Sequence, residues 1–124
     1  MALQMKRLSG PENFAVADTA EDLYTVPRNT GYTTTAVIKE IILCNTAASS
    51  ATVTLWLKPK NVTVGTDHIF INSLTLAANE TVTLSTSLVL TNSDNTAGDT
   101  YSDKIRGKAS TTTVNYMING YEEY

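Results

Sequence analysis

The sequence predicts an all-β fold, an antiparallel β-sandwich in a single domain, and three observations carry the prediction. Apolar residues recur at every second position, with Val53, Leu55 and Leu57 alternating with Thr52, Thr54 and Trp56, and Val82 and Leu84 with Thr81 and Thr83. That period gives a strand one inner and one outer face. The chain is rich in Thr, Val, Ile and Tyr, residue types suited to a pleated, half-buried surface, and poor in helix-favouring stretches. Clusters of turn-forming residues separate the apolar runs at short intervals, which favours a sandwich or barrel over βα layering.

In chain order, the strand-like segments are Leu3 to Leu8, Phe14 to Ala17, Asp22 to Val26, Thr35 to Cys44 and Ala51 to Lys58. They continue with His68 to Leu74, Glu80 to Leu84, Ser87 to Thr91, Lys104 to Ala109 and Thr113 to Asn119. Turn chemistry lies between them at Val26-Pro27-Arg28-Asn29, at the run from Asn45 to Ser50, at Ala77-Ala78-Asn79 and in the polar loop Asn92 to Ser102. The expected architecture is a jelly-roll-like sandwich of about eight strands, with residues 1–12 as an N-terminal arm and residues 13–124 as the sandwich domain. Thr35 to Cys44 breaks the alternation. Read as an unbroken strand, it places Ala36, Ile38, Ile42 and Cys44 on one face and Val37, Ile41 and Leu43 on the other, so that both faces are apolar. Such a strand is either central and covered on its second side, or a subunit contact.

Bulk properties bound the function. A length of 124 residues is enough for one domain with its own core. The formal net charge of −3 and pI near 5.0 argue against a general nucleic-acid binder. With one cysteine, Cys44, no intramolecular disulfide can form, and packing must hold the fold. No apolar run has the length of a signal peptide core or a membrane span, so neither a leader nor a membrane partner is expected, and folding in a cytoplasm is.

The residues offer little chemistry. A nucleophilic triad needs a base, and the one histidine, His68, sits in the run Asp67 to Ile71 that reads as strand. Cys44 ends an apolar strand and reads as a small buried hydrophobe. The acids lie in turns and near the ends, as with Glu21 and Asp22 or Glu122 and Glu123. Asp94, Asn95, Asp99 and Asp103 carry oxygen ligands but lack the spacing of a calcium loop. The Asn-x-Thr sequons at Asn61 and Asn79 are what a Thr-rich chain produces by chance, and the scattered glycines form no phosphate cradle. No catalytic residue, cofactor or metal is expected.

Surface features remain. Trp56 falls on the Thr-bearing face of its strand and reads as an interface anchor, a sugar-stacking platform or a locally covered side chain. Lys104, Arg106 and Lys108 alternate with Ile105, Gly107 and Ala109, the pattern of a solvated edge strand that discourages aggregation. The candidate interface residues are Trp56, Val37, Ile41, Leu43, Tyr121 and Tyr124.

The order of segments carries a resemblance. Lys6-Arg7-Leu8 is followed by Leu23-Tyr24-Thr25-Val26-Pro27, by Ala36 to Thr46 (AVIKEIILCNT) and by Ala51-Thr52-Val53-Thr54-Leu55. Leu76 to Leu84 (LAANETVTL) and Asp103 to Ala109 (DKIRGKA) complete the series. Taken together, the chain resembles small β-sandwich structural proteins of tailed bacteriophages, found as accessory parts of the virion and as modules of tail and fibre proteins. It departs from that pattern in the Asn92 to Ser102 loop and in the Tyr-rich end from Tyr116 to Tyr124. The resemblance implies a non-enzymatic virion subunit, assembled in the host cytoplasm, for capsid decoration or for the neck or tail. Its partners would be the major capsid protein or neck and tail proteins, together with further copies of itself. A carbohydrate-binding module that recognises a host surface glycan is the alternative it implies.

Overall fold

The computed structural model describes residues 4–28, 31, 33–93 and 102–123. Eight strands form within them: β1 (Lys6–Asn13), β2 (Glu21–Thr25), β3 (Thr34–Asn45), β4 (Ala51–Lys58), β5 (Ile69–Leu76), β6 (Thr81–Asn92), β7 (Lys104–Ala109) and β8 (Val114–Glu123). A 3-10 turn at Thr66–His68 precedes β5. The strands make two four-stranded antiparallel sheets, ordered β1-β8-β3-β6 and β2-β7-β4-β5. Only β4 and β5 are both consecutive and paired, so every other connection passes from one sheet to the other. This is the double Greek key of a jelly roll, and the expected all-β sandwich is the observed fold.

The inner faces of both sheets meet in one core that includes Phe14, Ile38, Leu55, Leu90, Ile105 and Ile118, all fully buried. All but Phe14, which lies just beyond β1, reach it through the alternation of their strands. Polar side chains tie the ends of strands where the chain changes sheet. Asn45 is fully buried. Its amide nitrogen donates to the carbonyls of Ser49 (2.8 Å) and Ala77 (3.1 Å), while its oxygen accepts from the Ala47 N–H (3.1 Å) and the Thr113 hydroxyl (3.2 Å). One residue thus fastens the β3–β4 loop, the β5–β6 turn and the approach to β8, and it leaves no buried amide group unpaired. The β5–β6 turn itself uses Asn79 at φ 59°, a left-handed conformation that Asn tolerates better than most residues. Across the sandwich, Glu122 of β8 accepts from Lys6 of β1 (2.9 Å) and from the Tyr24 hydroxyl of β2 (2.5 Å), linking the two sheets.

Strand β3 departs from the unbroken alternation. Ile38 pairs with Gly120 and Glu40 with Asn119, so β3 carries one extra residue, Lys39, opposite adjacent residues of β8. This β-bulge reverses the parity of the strand. Before it, Ala36 and Ile38 face the core; after it, Ile41 and Leu43 do, both with no exposed surface. Ile42 and Cys44 turn to the outer face beside Val37. The bulge is held from β8 by Asn119, whose amide donates to Glu40 (2.7 Å), and from β6 by Ser87, whose hydroxyl accepts from Lys39 (2.8 Å). It also requires Gly120. A Cβ there would overlap the carbonyl oxygen of Val37 and lie 3.1 Å from the Ile38 Cα, both backbone atoms.

Several expectations are corrected. Residues 6–13, most of the expected arm, form strand β1 against β8, because the Ser9 hydroxyl (2.5 Å to the Leu23 carbonyl) and the pairing with residues 115–120 secure them. Phe14 to Ala17 is not a strand: Phe14 is pinned by its N–H to the Val114 carbonyl (3.0 Å), and the following backbone is taken by Glu21, whose carboxylate accepts the Ala15 N–H. Glu80 to Leu84 and Ser87 to Thr91 are one strand, β6, whose inward set continues through Leu84, Thr86 and Leu88. His68 ends the 3-10 turn rather than opening a strand. Strand β7, with Lys104, Arg106 and Lys108, lies between β2 and β4 and is no edge.

Two predictions follow from these contacts. Gly120→Ala should lower the unfolding free energy by about 2 kcal/mol or more, since the new methyl meets backbone rather than a yielding side chain; urea denaturation measures it, and a loss within error of zero contradicts the role of the bulge. The second concerns Tyr116, which packs edge-on against Phe14 at 5.3 Å and donates to Glu12 at 2.9 Å. Burial first, then the hydrogen bond to the Glu12 carboxylate, raises its phenol from 10.0 to about 12. The folded state thus favours the protonated phenol, and this contribution is complete below pH 10.0 and lost as pH rises toward about 12. Tyr116→Phe should flatten the alkaline fall of the melting temperature across that window, while removing about 1 kcal/mol of stability at neutral pH.

Candidate functional site

The inner faces are filled by a continuous cluster of apolar side chains, and among the described residues the candidate sites lie on the two outer faces. They differ in chemistry. On the β1-β8-β3-β6 sheet, Val37 pairs with Val89 of β6 on one side and Tyr121 of β8 on the other, giving an apolar row across three strands. Val89 is 59% exposed, the highest value among the exposed large hydrophobic residues described. Farther along β3, Ile42 pairs with Met117, and a shallow apolar groove of about 190 Å³ is lined by Pro11, Ile42, Cys44, Asn115, Tyr116 and Met117. Lys39, Ser87, Glu40 and Asn119 lie between the row and the groove, so the face carries two separate apolar groups.

The outer face of the β2-β7-β4-β5 sheet is cationic. Lys58 pairs with Lys104, Trp56 with Arg106 and Thr54 with Lys108, so the side chains of these six residues share that face. Asp22 is flanked by two cations: its Oδ2 lies 2.8 Å from the Lys104 ammonium and its Oδ1 2.8 Å from Arg106 Nε. Arg106 also donates from Nη2 to the Ala20 carbonyl at 3.2 Å. Beside this array the segment joining β4 to the 3-10 turn folds back to leave an open cleft of about 500 Å³, lined by Lys58, Asn61, Val62, Thr63, Val64 and Arg106. The segment is fixed near both ends, by the Lys60 N–H donating to Asp103 (2.8 Å) and the Gly65 N–H donating to His68 Nδ1 (2.9 Å).

The sequence-based candidates therefore divide. Val37 and Tyr121 come together on one sheet, and Trp56 is half-buried on the other. Ile41 and Leu43 are removed from the candidate interface, because the bulge turns them into the core. Tyr124 lies outside the described residues, as do Asp94, Asn95 and Asp99. Asp103, the remaining oxygen ligand of that group, is occupied by backbone: it accepts from the N–H groups of Lys60 and of Thr91 (2.9 Å). Cys44, expected to be buried, is half-exposed on the groove. His68 Nδ1 is an acceptor for Gly65, and its Nε2 lies 3.7 Å from Asp67. Among the described residues no three of the His, Cys, Asp and Glu side chains converge to hold a metal ion. Sequence reading missed Val89, Ile42 and Met117; the outward phase of Val89 was present in Leu88-Val89-Leu90, but that of Ile42 depends on the bulge.

No protein-family model matches the sequence, and no curated protein does. Among solved structures, the chain is similar in fold to part of a chain from the structure of infectious bursal disease virus, Gx strain, with a TM-score of 0.48 and 11% identity. The match covers 98% of this chain and 30% of the viral chain.

Proposed function

We propose that this protein is a non-enzymatic structural subunit of a tailed-phage virion, a capsid decoration or neck and tail accessory protein that acts through protein–protein contacts. The observation that carries the reading is the apolar row Val37, Val89 and Tyr121 on the outer face of a jelly roll whose interior is given over to packing. Jelly rolls recur as building blocks of viral shells, although the fold alone assigns no function. The sequence resemblance to phage accessory proteins supports the same reading. The apolar row supplies the centre that a stable contact needs, with the Thr and Ser residues of β6 and the bulge residues Lys39 and Glu40 as its polar rim. Partners are other virion proteins or a second copy of the chain.

The test is incorporation. Purified protein should co-sediment with capsids or tails of the parent phage, and Val89→Glu should reduce bound protein by about tenfold or more, because a charge enters the centre of the contact. Its folding should be spared, since the side chain is largely in solvent already. A wild-type protein that co-sediments with neither particle, or a variant that binds as well as wild type, contradicts the assignment.

A further inference from the structure

We infer that the cleft beside β4 and β7 is a binding site for an acidic saccharide, a sugar bearing a carboxylate. The inference stands apart from the virion reading, which concerns the opposite sheet. It rests first on charge. The chain as a whole has a formal net charge of −3, yet Lys58, Lys104, Arg106 and Lys108 share one face. Asp22 serves both Lys104 and Arg106, and Lys58 and Lys108 have no carboxylate within ion-pair distance among the described residues. Among the described residues the face therefore carries more positive than negative charge, which draws an anion toward the cleft.

Geometry narrows the ligand. Arg106 is paired by charge with Asp22, whose Oδ1 lies 2.8 Å from Nε, and donates from Nη2 to the Ala20 carbonyl, while its buried Nε–H has no hydrogen-bond partner among the described residues. The ion pair and the Nη2 hydrogen bond hold the guanidinium at the lining of the cleft. An orientated guanidinium of this kind suits a planar carboxylate. Lys58 supplies a second cation from the adjacent strand, and Asn61 and Thr63 supply hydrogen-bonding groups for hydroxyls. Val62 is 42% exposed and offers apolar contact to a ring face, while Trp56, the cross-strand neighbour of Arg106, provides an aromatic surface at the margin. A volume of about 500 Å³ accommodates a ligand of one or two sugar rings. The wall is preorganised by the anchors at Lys60 and Gly65, so little ordering is required on binding.

The single tryptophan provides the readout. The full chain is titrated at low salt with sialyllactose, with a glucuronate-containing disaccharide, with lactose as the uncharged control and with polyglutamate as a peptide polyanion, following Trp56 fluorescence and heat. At least one acidic sugar is expected to bind saturably, more weakly as salt rises, and lactose is not. Lys58→Gln should weaken that binding about tenfold, as expected for loss of one charge-assisted contact, and Lys39→Gln on the other sheet should leave it unchanged. Binding of neither acidic sugar, equal binding of lactose, binding of polyglutamate alone, or unaltered affinity in Lys58→Gln overturns the assignment. Because Val89→Glu leaves this cleft intact, failure here and failure of virion incorporation are separate results.

Discussion

One extra residue in a central strand decides what this molecule shows to its surroundings. Strand β3 contributes to the core along its full length, yet its apolar residues do not keep a single phase, and the bulge at Lys39 reconciles the two. Without it, Ile41 and Leu43 would face solvent while Ile42 and Cys44 entered the core, since a shift of one residue exchanges the faces of a strand. The bulge depends on Gly120, the residue of β8 that can approach the β3 backbone closely enough, and on Asn119 and Ser87, which pair the flanking Glu40 and Lys39 side chains. Sheet, core and outer surface are therefore coupled through a few atoms at the β3–β8 pairing.

The consequence is a division of labour between the outer faces. The β1-β8-β3-β6 face inherits the apolar residues left over after the core is filled, and the opposing face collects cations. Carboxylates are placed for architecture on both. Glu122 joins β1, β8 and β2, Asp103 ties β6 and the β4–β5 connection to the start of β7, and Asp22 orients Lys104 and Arg106. Among the described residues these acids are spent in ties between strands, and Asp22 alone pairs with the basic face. This is why a net charge of −3 is a poor guide to the local field at the cleft.

Much of the fold was legible in the sequence because strands with one wet face record their orientation in a period of two, as β4 does in Val53, Leu55 and Leu57. The β5–β6 turn and the end of β2 at Pro27 were legible for a related reason: Asn79 and Pro27 restrict the backbone locally. Three features were not. The bulge leaves no local signature, since Lys39-Glu40 looks like any polar pair within a strand, and its partner Gly120 lies far along the chain. The position of β7 between β2 and β4 is a property of the Greek key, so its cations could not be told from those of an edge strand. The continuation of the expected Leu3 to Leu8 strand as far as Asn13 comes from pairing with β8, not from an apolar period of its own. Of the candidate interface, Val37 and Tyr121 were legible individually, but their adjacency to Val89 required the register.

The bulge sends Ile41 and Leu43 inward and leaves Ile42 with Val37 on the outer face. Methyl-labelled protein with a soluble paramagnetic relaxation agent tests it directly. Strong broadening is expected at the Val37, Ile42 and Val89 methyls, and little at Ile41 and Leu43. Broadening of Ile41 and Leu43 comparable to that of Val37 would contradict it.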